Sequence, residues 1–434
     1  MTEQTACTAG YTEMSAQELR EELAALGERY EAFCQRGLKL NMARGKPSPA
    51  QLDLSMPLLD AVGPSAGTGP LDSAGEDARN YGGLLGIPEV RKLMGDILGV
   101  PAAQVLVSGN SSLALMHDTV VRSMLFGVRG FQPWRELHSI KFLCPAPGYD
   151  RHFAITESLG IKNVEIPMTP EGPDMDLVER LVQTDPAVKG IWCVPKYSNP
   201  GGCTYSAEVV RRFAALEPAA GDFRVFWDNA YAVHDLEEPG DTLLNLAAAC
   251  EDTDNSDLYY MFASTSKVTF ASGGIAALAT SPENLAEIVR YISLQNIGPD
   301  KLNQLRHVAF LRDLDGVREH MRKQAAIIAP KFEVVLETLE RELGALGIAQ
   351  WTRPRGGYFI SFDGCAGTAK RTVELAAKAG VVLTGAGATF PYGFDHRDTN
   401  IRIAPTYPGL EELALASELF CVCARMAAAE KLLA

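Results

Sequence analysis

The sequence predicts an α/β protein: a large domain with a mostly parallel central sheet, and a smaller α+β domain built from both chain ends. The first observation is a series of short apolar runs that alternate with helical stretches from about residue 78 onward. Short buried strands joined by crossover helices form a parallel sheet that is covered on both faces. The second observation is the length of 434 residues, which is enough for two hydrophobic cores.

The N-terminal segment is predicted to be a helix followed by an irregular stretch. Ser15 and Glu18 have the spacing of a capping box, which marks the start of a helix. Apolar residues then recur at helical spacing until Gly37, at Leu19, Leu23, Leu26, Tyr30 and Phe33. Residues 38–75 are rich in Pro, Gly and Ser and predict an irregular surface segment.

Six apolar runs predict the strands of the large domain: Val105–Val107, Ile140–Leu143, Gly190–Val194, Phe223–Trp227, Tyr259–Ala263 and Ile275–Ala279. Beyond them, a long helical region begins near Asp313 and extends, past a predicted kink at Pro330, towards Leu346.

The rest of the chain predicts two strands and a closing helix, at Gly357–Phe362, Val381–Leu383 and Leu410–Leu433. We therefore assign residues 66–314 to the large domain, and residues 1–65 together with 315–434 to the small one.

Composition and charge exclude several classes of protein. The formal net charge of −14 disfavours nucleic-acid and anionic-membrane partners. No apolar run approaches the roughly 20 residues of a membrane helix, and the first residues, Met1 to Thr5, lack the pattern of a signal peptide. Nine scattered cysteines without CxxC spacing are typical of a reducing compartment rather than of a disulfide framework or zinc module. We expect a cytoplasmic protein.

The strongest local signal is Ser264-Thr-Ser-Lys267, at the end of a predicted strand. Ligands of α/β proteins bind at the carboxyl ends of the strands. A lysine that is desolvated there has a lowered pKa and can form a Schiff base. The alternative is an ordinary solvated loop lysine.

Three further polar side chains follow two neighbouring predicted strands. Asp228, directly after Phe223–Trp227, could hold a pyridinium nitrogen protonated, and Tyr231 could bond the 3′-oxygen of the same ring. Asn199, in Ser198-Asn-Pro-Gly-Gly202, offers an amide donor to that oxygen. The alternatives are a helix-capping aspartate and an ordinary β-turn.

Three more segments complete the pattern. Ser108-Gly109-Asn110-Ser111-Ser112 opens a helix after a strand and suits a phosphate, although a plain serine cap is the alternative. Tyr149 could stack on a heterocycle or simply pack at its turn. Arg402 lies in an apolar run and needs a carboxylate from the protein or from a substrate. Together these segments match the demands of pyridoxal 5′-phosphate.

With these residues the chain resembles the class I aminotransferases of fold type I, from about Asn41 to the C-terminus. Arg44-Gly-Lys-Pro47, Asn80-Tyr-Gly-Gly83 and Ser198-Asn-Pro-Gly-Gly202 resemble the MocR-like aspartate aminotransferase subgroup. The resemblance implies that Lys267 is the Schiff-base lysine, Asp228 the partner of the pyridine nitrogen, and Arg402 the site of the substrate α-carboxylate.

The resemblance assigns the remaining positions as well. Tyr231 and Asn199 would bond the 3′-oxygen and Tyr149 would stack on the ring. Phosphate-binding positions are Gly109, Asn110, Ser111 and Ser264, and a substrate-binding position is Gly45. His152 would lie behind Asp228, unless it is a surface loop histidine. Tyr81 would reach the phosphate of a neighbouring subunit, which implies a homodimer with shared active sites.

One position departs from the family pattern. Class I enzymes usually carry a phosphate-binding arginine eight residues after the lysine, and this chain has Ile275 there. Phosphate binding must then depend on the helix N-terminus, on hydroxyl groups, or on another cation.

The expected activity is transamination between an acidic amino acid and a 2-oxo acid, with L-aspartate and 2-oxoglutarate as the pair. A distal carboxylate then needs a second cation, for which the candidates are Arg44, Lys46, Arg151 and Lys301. Alternatives are an aminotransferase of other specificity, a pyridoxal-phosphate β-eliminating lyase, and the effector domain of a MocR-type regulator. The last would need a basic DNA-binding segment before the fold, whereas the roughly 40 residues before Asn41 are mostly one predicted acidic helix.

Overall fold

The computed structural model describes residues 10–66 and 69–434. The residues on which the signal-peptide argument depends, Met1 to Thr5, lie outside this part. Thirteen α-helices occur in the described residues: α1 (Ala16–Cys34), α2 (Pro49–Asp53), α3 (Pro88–Leu98), α4 (Ser112–Phe126), α5 (Asp150–Ser158), α6 (Met175–Thr184), α7 (Ala207–Ala214), α8 (Leu246–Glu251), α9 (Pro282–Gln295), α10 (Lys301–Leu311), α11 (Leu314–Leu343), α12 (Ala369–Lys378) and α13 (Leu410–Leu433).

The same residues contain thirteen strands: β1 (Leu40–Asn41), β2 (Val105–Val107), β3 (Lys141–Ala146), β4 (Lys162–Thr169), β5 (Gly172–Pro173), β6 (Val188–Cys193), β7 (Arg224–Asp228), β8 (Tyr259–Ser264), β9 (Ala276–Ala279), β10 (Ala349–Trp351), β11 (Ile360–Gly364), β12 (Val381–Val382) and β13 (Asn400–Ile403).

The central sheet has eight strands in the order β2-β9-β8-β7-β6-β3-β4-β5. Strands β4, β3, β6, β7 and β8 run parallel to one another, whereas β9 is antiparallel to both of its neighbours. Every residue of β2, β6, β7 and β9 is buried, because helices cover both faces of the sheet. The predicted α/β fold class with a mostly parallel sheet is confirmed.

A separate hydrophobic core joins the two chain ends. It contains Leu19 and Leu26 of α1, Phe332 of α11 and Phe420 of α13. Small sheets flank it: β10, β11 and β13 form one, and β1 pairs with β12 in the other. The division into a large domain and a small one, with boundaries at 65/66 and 314/315, stays a prediction.

Local sequence patterns predicted the positions of most helices and strands, but their ends were predicted less accurately. The Ser15–Glu18 capping box is present at the start of α1, and α11 continues through Pro330. The strand predicted at Gly357–Phe362 begins instead at Ile360, because Gly357 adopts φ +79° in a turn. Strand β4 was not predicted, because only Asn163 and Ile166 of its eight residues are buried. Its sequence therefore shows no continuous apolar run.

Seven of the cysteines in the described part of the chain are free. No helix in residues 10–66 and 69–434 is long and apolar enough to cross a membrane.

Candidate active site

Most of the predicted site residues meet at the carboxyl edge of the central sheet. Asn199 follows β6, Asp228 ends β7, Lys267 follows β8 and Tyr149 follows β3. Together they line a cavity of about 550 Å³, a size typical of small-molecule sites. A larger groove of about 1070 Å³ lies between α11 and residues 232–246, and none of the predicted site residues lines it.

The carboxylate of Asp228 is buried and has one free oxygen. Its Oδ2 lies 3.1 Å from Nε2 of His152, whose ring stacks on Trp192 at 4.7 Å. Its Oδ1 is buried without a hydrogen-bond partner. An unpaired buried acceptor is costly, so this oxygen suits an N–H donor of a bound ligand. His152 is buried behind the aspartate rather than in a surface loop.

Lys267 is held in an environment that favours its neutral amine. Burial lowers its pKa, the charge of Arg402 lowers the pKa further, and Asp228 opposes both effects. The Lys267 Nζ lies 4.8 Å from the centroid of the Tyr231 ring. Burial raises the pKa of the Tyr231 phenol well above its usual value, with Tyr149 and Asp228 adding to the effect. A neutral amine beside a protonated phenol can act as a nucleophile and as a base.

Arg402 projects from β13 into the cavity and is only partly paired. Its Nη1 donates to Asp150 Oδ1 at 2.9 Å and to Asn199 Oδ1 at 3.2 Å, while its Nε is buried without a partner. The guanidinium also lies 4.8 Å from the Phe359 ring centroid. One edge of the guanidinium is thus held in place, and Nε is left for an incoming carboxylate. Because Asn199 uses its amide oxygen here, its NH₂ group remains a donor.

The predicted phosphate-binding residues are only partly brought together. Asn110, Ser111 and Ser264 line the cavity, whereas Gly109 does not. Ser111 caps α4 by accepting from the N–H of Ala114, so the ordinary helix cap is present as well. Ile275 is buried in the fold and supplies no charge. Main-chain N–H and hydroxyl donors at the start of α4 therefore remain the candidate anion site.

The four candidate cations for a distal carboxylate divide into two pairs. Arg44 and Arg151 line the cavity and are exposed. Lys46 instead lies 3.8 Å from the Tyr407 ring centroid. Lys301 is buried, and its Nζ donates to the Tyr81 carbonyl oxygen at 3.3 Å. We therefore retain only the two arginines.

Gly45 lines the same wall as Arg44, and Tyr81 lies elsewhere. A Cβ at Gly45 would lie 2.6 Å from the Phe359 ring, so only glycine fits beside this aromatic side chain. Tyr81 is 80% exposed and is absent from the cavity lining of its own chain.

Sequence reasoning missed several lining residues. Asp150, Phe359 and Thr384 all line the cavity, and all three contact Arg402. Asp150 directly follows Tyr149, which was the one available signal. Thr384 and Phe359 lie in segments without a polar motif, so only the folded chain brings them to the site.

A mostly parallel sheet with a half-buried lysine and a buried aspartate at its carboxyl edge is the arrangement of the fold type I transferases. A family model described as aspartate aminotransferase matches residues 14–434. A protein from Mycolicibacterium smegmatis that carries an aminotransferase name is 52% identical over 91% of this chain and 92% of its own length.

A sequence and a crystal structure from Corynebacterium glutamicum indicate the same family. An aspartate aminotransferase is 46% identical and aligns over 93% of this chain and 92% of its own. The crystal structure of an aspartate transaminase superposes with a TM-score of 0.94 at 44% identity, covering 98% of this chain and 99% of that one. The chain belongs to the aspartate aminotransferase family.

Proposed function

We propose that this aminotransferase uses pyridoxal 5′-phosphate to transfer the amino group of L-aspartate to 2-oxoglutarate, which yields oxaloacetate and L-glutamate. The observation that carries the proposal is the presence of two groups in one cavity: the desolvated Lys267 amine and the buried, unpaired Oδ1 of Asp228.

The residues present fit this cofactor. Asp228 Oδ1 would accept from the pyridinium N–H, with His152 fixing the other oxygen. Tyr149 would stack on the ring, and Tyr231 and the NH₂ group of Asn199 would donate to the 3′-oxygen. The phosphate would be held by Asn110, Ser111 and Ser264, with Gly109 in the preceding turn.

When bound, the cofactor supplies an electron sink for the Cα carbanion of the substrate. The protein supplies position and proton transfer. Arg402 binds the α-carboxylate through Nε and Nη2, because Nη1 is held by Asp150 and Asn199. Nη2 has only a long hydrogen bond of 3.5 Å to Thr384 Oγ1. Lys267, whose neutral form is favoured by burial, removes the Cα proton and holds it on Nζ.

We propose Arg44 and Arg151 as the binding site of the distal carboxylate. Both guanidinium groups lie at the cavity wall and form no ion pair among the residues 10–66 and 69–434. A charged side chain that is enclosed with substrate needs an opposite charge, so an acidic amino acid suits this cavity better than an apolar one.

We also propose a cytoplasmic homodimer with shared active sites. Tyr81 is exposed at 80%, together with the apolar side chains of Leu294 at 82% and Ile297 at 66%. The two segments meet in space, because Gly298, next to Ile297, lies against Gly82, next to Tyr81. Exposed apolar groups that lie close together favour a protein contact, and Tyr81 would then reach the phosphate of the partner.

The decisive experiment measures oxaloacetate from L-aspartate with and without 2-oxoglutarate. We expect product only when the 2-oxo acid is present, with ping-pong kinetics. Release of ammonia and pyruvate without any 2-oxo acid would indicate the eliminating lyase, and absence of turnover with any amino acid would favour an effector-binding role.

A further inference from the structure

The main-chain oxygens around Lys267 accept hydrogen bonds from side chains of distant segments. The phenol of Tyr358 donates to the Lys267 carbonyl oxygen at 3.3 Å. The next carbonyl, that of Val268, accepts from Gln324 Nε2 at 3.2 Å and lies 2.8 Å from His320 Nε2. These three donors come from α11 and from the turn before β11, so the lysine is held by parts of the chain far from its own strand.

A buried glutamine fixes the direction of this network. Gln51 is 0% exposed, and its Nε2 donates to the Tyr358 oxygen at 3.1 Å and to Gln324 Oε1 at 2.9 Å. Its Oε1 accepts from the N–H of Ser48 at 3.0 Å. Since Tyr358 accepts from Gln51, its own proton is directed to the Lys267 carbonyl, and the two bonds polarise each other.

Within the turn that carries Lys267, the carbonyl oxygens of Lys267 and Val268 accept their hydrogen bonds from other segments of the chain. The N–H groups of Val268 and Thr269 both donate to the Thr265 carbonyl at 2.8 Å, which closes the turn on one side. The opposite side, with the carbonyls of Lys267 and Val268, has no comparable bond within the turn. Removing the Tyr358 hydroxyl would therefore loosen the backbone from which the lysine side chain extends, with His234 left as the other side chain that faces the Lys267 main chain.

We propose that Tyr358 is a positioning residue for Lys267, and that Gln51 acts through it. The proposal rests on the proposed function of Lys267 as the base. A reacting group that is displaced by about 1 Å can lose up to a hundredfold in rate, so a modest shift of this backbone is enough to affect proton transfer.

The test compares Tyr358→Phe with the matched control Tyr30→Phe in the holoenzyme. Tyr30 is also buried, and its hydroxyl donates to the Leu375 carbonyl at 2.9 Å, so both variants lose one phenol–carbonyl bond. We expect Tyr358→Phe alone to lower kcat about tenfold, with little change in the KM for aspartate and a larger isotope effect with α-deuterated aspartate.

A second measurement needs no amino-acid substrate. The apoenzyme is mixed with pyridoxal phosphate, and the rate of covalent attachment is followed by borohydride trapping. We expect slower attachment in Tyr358→Phe and a normal rate in Tyr30→Phe. This measurement tests the positioning of the Lys267 amine even if wild-type enzyme fails to transaminate aspartate, so the two proposals can fail separately.

Gln51→Met supplies an independent variant. It keeps the side-chain length and removes both polar atoms, so we expect the same kinetic changes in weaker form. In the double variant with Tyr358→Phe, Gln51→Met should cause little further loss of kcat, because the effects of substitutions within one hydrogen-bond network are not additive. Normal attachment and an unchanged isotope effect in Tyr358→Phe, or equal losses in Tyr30→Phe, would overturn the proposal. If Tyr358→Phe does not fold, the rate of cofactor attachment and the isotope effect are measured in Gln51→Met instead. Normal values of both would overturn the proposal.

Discussion

His152 Nε2 and Asp228 Oδ2 lie 3.1 Å apart, with 2% and 3% of their side-chain surfaces exposed. The histidine is itself held against Trp192. One oxygen of the carboxylate is thus committed to the protein, and the other is presented to the cavity in a fixed direction. An aspartate that is anchored in this way can keep a ligand nitrogen protonated without moving.

The first prediction is that Asp228→Ala keeps the fold and loses most of the rate. Without the carboxylate the ring nitrogen is neutral and accepts electrons poorly, so kcat at saturating substrate should fall by about a hundredfold or more. Asp222→Ala is the matched control, since Asp222 is equally buried, lies just before the start of β7 and pairs with Lys189. It should lower the urea midpoint and spare kcat. Unchanged turnover in Asp228→Ala would exclude the assigned role.

The second prediction is that Lys267 carries the cofactor covalently. Borohydride reduction of the holoenzyme followed by peptide mapping should place the cofactor on Lys267, with all other lysines serving as internal controls. Lys267→Ala should lose roughly a thousandfold in turnover, because nucleophile and base are removed together. A modified peptide elsewhere, or full turnover in Lys267→Ala, would refute the assignment.

The third prediction is that each active site uses two subunits. Lys267→Ala and Tyr81→Ala should each be poorly active alone. Refolded as a mixture, they should regain up to roughly a quarter of wild-type activity, because half of the dimers are mixed and each mixed dimer has one intact site. Sedimentation should show a dimer. A fully active monomer, or a mixture without any gain, would contradict shared sites.

The fourth prediction concerns the substrate side chain. Arg44→Ala or Arg151→Ala should raise the KM for aspartate on the order of tenfold and reduce the preference over alanine, since a cation made for a carboxylate gains nothing from a methyl group. Turnover of alanine should change little. Lys46→Ala is the control, because Lys46 lies on Tyr407 rather than at the cavity. If neither arginine variant alters the aspartate-to-alanine ratio, the distal carboxylate binds elsewhere.

The fifth prediction concerns acid stability. Burial lowers the pKa of His234 from 6.5 to about 3, and the charges of Lys267 and Lys196 add to the effect. The unfolded chain binds a proton on this imidazole as the pH falls through 6.5, whereas the folded chain does so only near pH 3. Stability is therefore highest above that window and is lost as the pH falls through it.

His234→Phe should flatten this dependence when the urea midpoint of the holoenzyme is measured against pH. The exposed His138 provides the control, and His138→Phe should leave the curve unchanged. An equally steep loss of stability in His234→Phe would show that other groups dominate the acid response.

Much of the fold follows from local pattern. The alternation of apolar runs and helical stretches predicts the central sheet, and the Ser15–Glu18 capping box predicts the start of α1. The same pattern predicts where Asp228 and Lys267 lie, because residues that follow parallel strands meet at one edge of the sheet. Their chemical roles remain predictions until the variants above are measured.

The sequence alone determined the fold class, the family resemblance and the residue types at the strand ends, because these depend on local periodicity and short motifs. Only the tertiary structure decided that Arg44 and Arg151, rather than Lys46 and Lys301, line the cavity. It alone brought Gln51 to Gln324, which is 273 positions away in the chain. Contacts of this kind depend on how side chains from separate segments pack around one another, and no local sequence pattern encodes that packing.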